Sequence, residues 1–217
     1  FAGYLQADGY SGYNGVVAEG GLVHVGCMAH ARRKFSEAVK GQGKHPRQGK
    51  AHQGLAWIQH LYRIEKQART QQLSAQARQL HRRQHAAPVL AKLRAWLDAS
   101  LPGVPPGTLT GKAMAYLNNE WPKLVRYLED GRLEIDNNLA ENAIRPFVIG
   151  RKNWLFSDSV HGVKASANLY SLVETAKANG LEPYQYLRRV LVFTALPQAE
   201  TVEDIESPLP WAVKKIS

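Results

Sequence analysis

The sequence predicts an α/β fold that is mostly α-helical by residue count, and two observations lead to this prediction. Residues 1–35 alternate between short strand-like and short helical patterns, which is typical of parallel strands joined by helices. Residues 36–130 lack strand patterns, and their apolar side chains recur at helical spacing. We therefore expect an α/β domain that is interrupted by a helical insertion.

The first 35 residues contain two predicted strands. Gly3–Ala7 is a short strand that ends at the turn-forming residue Asp8, and Leu22–Met28, which is rich in β-branched residues, is the second strand. Tyr13–Ala18 is a short helix between them, and another helix begins at His30. This order of elements predicts that the two strands pair in parallel.

The middle block is predicted to form three helical stretches after a flexible polar loop at Gly41–Gly54. The stretches cover Leu55–Arg83, Pro88–Ser100 and Thr110–Asp130. The block has few acids besides Glu65 and Asp98, and its many cations are Lys44, Arg47, Lys50, Arg63, Lys66, Arg69, Arg78, Arg82, Arg83, Lys92 and Arg94. Lys and Arg that neutralise phosphates release condensed counterions, so this excess predicts contact with DNA.

The last part of the chain is predicted to form three more helices. In the first, Asp136 or Asn137 is the N-cap, and Pro146 ends or kinks the helix. The second stops at Asn179-Gly180 in the manner of a C-cap. The three helices cover residues 139–145, 164–179 and 183–195, and a loosely packed acidic tail follows from residue 198.

Composition limits the class of protein. None of the apolar runs approaches the roughly eighteen residues that a membrane helix needs, so we expect no membrane partner. Cys27 is the only cysteine, which excludes a disulfide framework within the chain and fits a reducing cytoplasm. The formal net charge of +10 favours a polyanionic partner, for which nucleic acid is the first candidate.

Two carboxylates stand at places where metal ligands are often found. Asp8 lies where the first strand ends, and Glu141 lies one turn into a helix far downstream. Carboxylates from distant parts of a chain can converge on Mg²⁺ or Mn²⁺, which prefer oxygen ligands. Aspartate is also common in turns and glutamate in helices. The local sequences around the two residues are therefore needed to judge whether they are metal ligands.

Five ordered blocks of the sequence resemble the insertion-sequence 66 family of bacterial DDE-type transposases. The resemblance spans nearly the whole chain, with the blocks in the order and at separations compatible with that family. They are Leu5-Gln6-Ala7-Asp8-Gly9-Tyr10-Ser11-Gly12-Tyr13, Gly26-Cys27-Met28-Ala29-His30-Ala31-Arg32-Arg33-Lys34-Phe35, Glu134-Ile135-Asp136-Asn137-Asn138-Leu139-Ala140-Glu141-Asn142-Ala143-Ile144-Arg145-Pro146, Gly150-Arg151-Lys152-Asn153-Trp154-Leu155-Phe156 and Asn179-Gly180-Leu181-Glu182-Pro183-Tyr184-Gln185-Tyr186-Leu187.

The resemblance implies a ribonuclease-H-like domain with an Asp-Asp-Glu site for Mg²⁺ or Mn²⁺. Asp8 matches the second aspartate and Glu141 the glutamate, whereas no segment here matches the first aspartate. We therefore expect the C-terminal part of a catalytic domain, which alone is inactive. Asp136 is an alternative ligand that suits helix capping better. Asn142 departs from the family, in which Arg often follows the glutamate, and this puts one phosphate contact in doubt.

The resemblance also implies a division of the chain and a reaction. Residues 1–35 and 131–197 are the two parts of the ribonuclease-H-like core, 36–130 is the basic insertion, and 198–217 is the tail. The implied reaction is cleavage of a phosphodiester at the element end, after which the freed 3′-hydroxyl attacks target DNA. Element ends and target are then the DNA partners, with a homo-oligomer on DNA and accessory proteins of the same element as further expected partners.

Five basic residues are predicted to contact DNA. Arg145 lies one helical turn after Glu141 and shares its side of the helix, so it can meet phosphate near the metals. Arg151 and Lys152 precede Trp154, a combination suited to phosphate contact with base stacking. Arg32 and Arg33 lie on a basic helix face, for which plain solvation is an equally good interpretation.

Two other functions remain open on the sequence. The first is a non-catalytic DNA-binding remnant of a transposase, which the missing first carboxylate supports. The second is a related metal-dependent nuclease that cleaves DNA without joining strands.

Overall fold

A computed structural model describes residues 2–43, 49–153, 159–194, 201, 206 and 208–212, of which 151–153 and 191–194 are described as helix only. The chain divides into two compact units, residues 1–139 and 140–217, and each is treated by itself. The elements are β1 (Tyr4–Gln6), α1 (Tyr13–Gly20), β2 (Val23–Val25), α2 (Met28–Lys40), α3 (Lys50–Thr70), α4 (Ala75–His81), a π-helix (Arg82–Ala86), α5 (Ala87–Ser100), α6 (Leu109–Leu124), α7 (Asn138–Asn153), α8 (Val160–Ala178) and α9 (Pro183–Thr194). Short 3₁₀ turns follow α5 and α6, at Leu101–Gly103 and Arg126–Leu128.

The predicted strand–helix–strand segment is confirmed, including its parallel pairing. β1 and β2 pair with Leu5 opposite His24, and the N–H of Ala7 donates to the carbonyl oxygen of Val25 at 3.0 Å. Gly21 ends α1 in the left-handed region at φ 58°, a conformation that favours glycine. The fold is therefore α/β and mostly helical, as predicted.

The helices of the first unit enclose a continuous apolar core. α2 buries Met28, Ala31, Phe35 and Ala38, a three- and four-residue spacing that places them on one face. The ring of Phe35 lies against Gly54 of α3 so closely that a Cβ there would be 2.3 Å from it, which allows the two helices to approach. The other fully buried apolar side chains of this core include Ile58, Leu61, Leu93, Leu97, Met114, Leu117 and Leu124.

The middle block differs from its prediction at several points. The predicted stretch Leu55–Arg83 is not one helix, because α3 ends at Thr70 and α4 begins at Ala75. α3 begins at Lys50, so the predicted loop is shorter than Gly41–Gly54, and residues 44–48 lie outside the described residues. The helical chain is continuous from Ala75 to Ser100, because a π-helix joins α4 to α5. Pro88 explains the wider turn, since proline lacks the N–H of an α-helical bond and its ring crowds the preceding turn.

A buried ion pair lies at the start of this π-helix. Arg82 and Glu65 are 0% and 1% exposed, and the guanidinium donates to both carboxylate oxygens at 2.8 and 2.7 Å. The remaining donors of Arg82 reach the carbonyl oxygens of Tyr127, Asp130 and Leu133 at 2.8 to 3.1 Å. Arg82 thus joins the π-helix, α3 and the segment before α7.

The second unit contains helices α7, α8 and α9. Of the two effects predicted for Pro146, an end of the helix is wrong, because α7 continues to Asn153, and a kink stays a prediction. Because Pro146 has no N–H, the helical hydrogen bond to the carbonyl oxygen of Asn142 is missing. Asn142 is exposed to water. The predicted stop of α8 is confirmed, with Gly180 at φ 70°. Among the described residues, no helix has the length and apolar character to cross a membrane.

Candidate functional site

Asp8 lies at the carboxyl end of β1, where the sequence predicted it. Its side chain is half-buried, and Oδ1 accepts the N–H of Tyr10 at 3.1 Å. Among the described residues, Oδ2 has no hydrogen-bond partner. One oxygen of the carboxylate therefore fixes the turn, and the other is available to a ligand.

A second carboxylate, Glu120 of α6, lies beside this turn and was missed by the sequence analysis. A Cβ placed on Gly9 would be 3.1 Å from the carboxyl carbon of Glu120, so the absence of a side chain at Gly9 allows α6 to approach. Glu120 pairs with Lys123 at 2.9 Å. No local sequence pattern predicts that α6 contacts the Asp8 turn, because this contact depends on how the insertion packs.

Two rings, the half-buried Tyr116 and the buried His24, complete the surroundings of Asp8. Burial, followed by the charge of Glu120, raises the pKa of the Tyr116 hydroxyl to about 12, and the charge of Asp8 adds to this. Burial, helped by Lys123, lowers the pKa of His24, which is 3% exposed in β2. These groups are neutral at neutral pH, so the local charge comes from Asp8, Glu120 and Lys123.

Glu141 lies in the first turn of α7 and is half-buried. A carboxylate at this place interacts favourably with the positive end of the helix dipole. Asp8 belongs to the first unit and Glu141 to the second, so their pairing at one metal site remains a prediction.

The carboxylates of Asp136 and Glu134, which precede Glu141 in the sequence, have other partners. Asp136 accepts the hydroxyl of Tyr62 on Oδ2 at 2.7 Å and the N–H of Asn138 on Oδ1 at 3.2 Å. Glu134 accepts Arg78 at 2.8 Å. Asp136 therefore supports the start of α7, which agrees with the predicted cap.

Three of the five predicted DNA-binding residues have described side chains, and these three are exposed. Arg32 and Arg33 are exposed on α2, and the guanidinium of Arg32 lies 4.7 Å from the ring centre of Tyr62. Arg145 is exposed on α7. Arg151 and Lys152 belong to the last turn of α7, and their side chains lie outside the described residues, as does Trp154.

Several cations of the middle block do not face solvent as free charges, contrary to the sequence analysis. Arg82 is buried with Glu65, because both lie on inward faces of helices that pack together. Arg94 pairs with Asp98 one turn away, and Arg78 pairs with Glu134. Lys50 donates to the carbonyl oxygen of Ser100 at 3.0 Å.

The exposed cations that have no acidic partner among the described residues include Arg63 and Lys66 of α3. With Gln67, Thr70 and Gln71 they line a shallow hollow of about 330 Å³ whose lining residues are all polar. Arg83 and Lys92 are likewise exposed, farther along the insertion. The cationic groups of Arg63 and Lys66 at this hollow are suited to contact with phosphate groups.

Comparison with known proteins identifies the family. The chain is 34% identical over 217 residues to the uncharacterized protein y4jD of Sinorhizobium fredii (strain NBRC 101917 / NGR234), covering 97% of this chain and 41% of that protein. It is 33% identical over 222 residues to y4qI of the same strain, covering 99% and 40%. The chain thus spans about two fifths of the length of these relatives, and no solved structure matches it.

Two family descriptions match along the chain. Residues 1–165 match the family described as "Transposase IS66 family", and residues 171–211 match the "IS66 C-terminal element". The first match includes both Asp8 and Glu141. The chain therefore belongs to the IS66 family of transposases.

Proposed function

We propose that this chain is the C-terminal part of the catalytic domain of a transposase that cleaves and joins DNA strands. The observation that carries the proposal is the position of Asp8, half-buried at the end of a parallel strand with one carboxylate oxygen unbonded among the described residues. β1, α1 and β2 are then part of a ribonuclease-H-like core, residues 36–130 are its insertion, and residues 131–197 complete the core.

Asp8 and Glu141 are the proposed ligands for Mg²⁺ or Mn²⁺. The residues fit such ions, because both offer carboxylate oxygens and Asp8 keeps one of them unbonded among the described residues. Two divalent ions about 4 Å apart would stabilise the attacking and leaving oxygens of a phosphoryl transfer. The first aspartate of the family site has no counterpart here, so we propose that this chain alone does not cleave DNA.

The protein's own groups would hold and orient the DNA. Tyr10 fixes the orientation of the Asp8 carboxylate through its N–H. Arg145 follows Glu141 by one helical turn, so both project from one side of α7 and a phosphate held by Arg145 would lie near the carboxylate. Arg32, Arg33, Arg151 and Lys152 are the other proposed phosphate contacts near the core.

The insertion is the proposed surface for duplex DNA beyond the reacting strand. Its exposed cations that have no acidic partner among the described residues, Arg63 and Lys66 foremost, supply charge for phosphate contacts. Element ends and target DNA would be the partners, in the cytoplasm, with a homo-oligomer and accessory proteins of the same element as further proposed partners. Binding by phosphate contacts is steeply salt-dependent and carries little sequence information.

DNA binding is tested by fluorescence anisotropy on a labelled duplex at two salt concentrations. The Arg63→Gln/Lys66→Gln variant should bind more weakly and show a smaller salt slope, by about one unit per lost phosphate contact. Arg132→Gln is a control, because the exposed Arg132 pairs with Asp130. Equal losses in both variants, or binding that does not change with salt, would contradict this surface.

Catalysis is tested by strand cleavage on a labelled element end with Mg²⁺ or Mn²⁺. Three kinds of protein are compared: this chain, a version extended to the full length of the relatives, and extended versions with Asp8→Ala or Glu141→Ala. We expect cleavage and joining only by the unaltered extended protein, because removal of one metal ligand disrupts the geometry of the whole site. DNA binding should persist in both variants.

The same assay distinguishes the rival functions. Cleavage without strand joining would indicate a nuclease, and DNA binding without cleavage by the extended protein would indicate a non-catalytic remnant. The exposed cations of the insertion favour the remnant as the second candidate, because they would bind DNA whether or not the metal site works. Full activity of the Glu141→Ala variant would show that another carboxylate is the ligand.

A further inference from the structure

The segment Leu133–Asp136, here called the anchor segment, ends two residues before the start of α7, the helix that carries Glu141. Its backbone is held by groups from separate parts of the first unit. Three of its carbonyl oxygens accept hydrogen bonds: Leu133 from Arg82 Nη2 at 2.8 Å, Glu134 from Gln6 Nε2 at 2.6 Å and Ile135 from the N–H of Met28 at 3.0 Å. Ile135 is also buried, at 2% exposure. The anchor segment is therefore fixed to β1, α2 and the π-helix before α7 begins.

The side chain of Asp136 joins this segment to the first residue of α7. Its Oδ1 accepts the N–H of Asn138, and its Oδ2 accepts the hydroxyl of Tyr62. Both oxygens of one carboxylate are thus engaged, one by the helix start and one by α3. Without the Tyr62 hydroxyl, the half-buried carboxylate of Asp136 would keep only the hydrogen bond from the N–H of Asn138. The carboxylate would then be free to rotate.

Tyr62 itself is held in place by contacts of its ring and of its helix. The Arg32 guanidinium lies over one face of its ring, and α3 is fixed at Glu65 by the buried pair with Arg82. Arg82 also donates to Leu133, so the same part of the insertion holds both ends of the anchor segment. The hydroxyl of Tyr62 therefore reaches Asp136 from a rigid support.

We propose that Tyr62 is a positioning residue of the transposase, which fixes through Asp136 the point at which the Glu141 helix begins. Each residue in an α-helix advances 1.5 Å and turns by about 100°, so a change in the start of α7 would shift or turn the Glu141 carboxylate. Misplacement of a reacting group by about 1 Å costs on the order of a hundredfold in rate. The inference rests on the proposed role of Glu141, and it gives the helical insertion a task in catalysis besides DNA contact.

The test uses Tyr62→Phe in the full-length transposase, with two readouts. Amide hydrogen exchange should become faster at Asn138 and in the first turn of α7, because the Asp136 cap is no longer held. In the cleavage assay kcat should fall about 10- to 100-fold while KM for DNA stays unchanged. The thermal midpoint should move little, since the aromatic ring remains in place.

Tyr127→Phe is the matched control. Tyr127 is 1% exposed, and its hydroxyl has no hydrogen-bond partner among the described residues, so this variant removes a buried hydroxyl without loss of a bond. We expect neither readout to change. Unchanged exchange at Asn138 in Tyr62→Phe, a higher KM with an unchanged kcat, or equal effects of both substitutions would overturn the proposal. If the unaltered protein cleaves no DNA, the proposed function fails, and the exchange readout still decides whether Tyr62 fixes the helix start.

Discussion

The two compact units of the chain differ in how many of their described residues are buried. In the first, helices α2 to α6 bury a continuous apolar core and an ion pair, and the anchor segment is hydrogen-bonded from three directions. In the second, the described residues are buried only at Ala176, Tyr186 and Pro210. α7 and α8 instead form an apolar groove of about 400 Å³ around the edge-to-face pair of Phe147 and Tyr170.

The comparison shows where the stability of the proposed site comes from. The insertion supplies most of the described core and holds Asp136, whereas none of the described side chains of α7, the helix with Glu141, is buried. We infer that the start of α7 is defined by the first unit. Substitutions in the two units should therefore differ in how much they lower the free energy of unfolding and in which helices they affect.

The largest effect is expected from Glu65→Ala. This change leaves the guanidinium of Arg82 buried without its carboxylate, and breaking a buried pair in this way costs about 3–5 kcal/mol in the free energy of unfolding. Urea unfolding of the whole chain measures it. Asp98→Ala is the comparison, because it removes the acid of an exposed pair with Arg94 and should have little measurable effect. Equal effects of the two changes would show that the Arg82–Glu65 pair does not support the first unit.

A matched pair of leucines compares the two units directly. Leu117→Ala in α6 opens a cavity at a fully buried position and should cost about 2–5 kcal/mol. Leu169→Ala in α8, where the side chain is 49% exposed, should stay within about 0.5 kcal/mol. Both residues lie inside helices, so the change in helix propensity is the same in each. A large loss at Leu169, measured by the same unfolding curves, would mean that the second unit has a core beyond its described residues.

Two helix caps give a smaller effect. The hydroxyl of Thr108 accepts the N–H of Gly111 at the start of α6, and that of Ser159 accepts the N–H of Gly162 at the start of α8, each at 3.0 Å. Replacement of either residue by Ala should cost about 1 kcal/mol. We expect Thr108→Ala to lower the unfolding midpoint of the first unit and Ser159→Ala to speed amide exchange only in the first turn of α8. Loss of protection throughout the chain in Ser159→Ala would contradict this difference.

The smallest effect is a pH dependence in the turn that accepts Arg82. Hydrogen bonds from the side chain and N–H of Arg132 lower the pKa of Asp130 to about 2, from an unperturbed value of 3.8. Since the folded pKa is depressed, the stabilisation is complete above pH 3.8 and is lost as the pH falls through about 2. An NMR titration of the Asp130 carboxyl checks this, and Arg132→Gln should return the pKa toward 3.8. An unchanged pKa in that variant would show that Arg132 is not the cause.

Local patterns made part of this fold predictable. Turn chemistry at Asp8 and the apolar patterns around it gave the parallel strand pair, and glycine at 180 gave the end of α8. The sequence analysis treated Arg82 and Arg63 as equivalent cations, although Arg82 is buried and Arg63 is exposed. Burial of Arg82 depends on Glu65, which is 17 residues away and meets it only when the helices pack.

The surroundings of the candidate site were less predictable for the same reason. Glu120 lies against Gly9, and Tyr62 donates to Asp136 across 74 residues of sequence. Such contacts follow from the packing of the insertion and leave no periodic signal. The motifs predicted Asp8 and Glu141 as ligands, but the contacts of Glu120 with the Asp8 turn and of Tyr62 with Asp136 became visible only in the folded chain.

The most direct test of the account is the position of the metal itself. A crystal structure of the extended protein with Mn²⁺, with data collected for anomalous scattering, would locate the ion. The proposal predicts a peak bound by carboxylate oxygens of Asp8 and Glu141 at about 2 Å, with the two carboxyl groups within about 10 Å of each other. An ion bound elsewhere, or Asp8 and Glu141 on opposite faces of the domain, would contradict the claim that these residues form the metal site of a transposase.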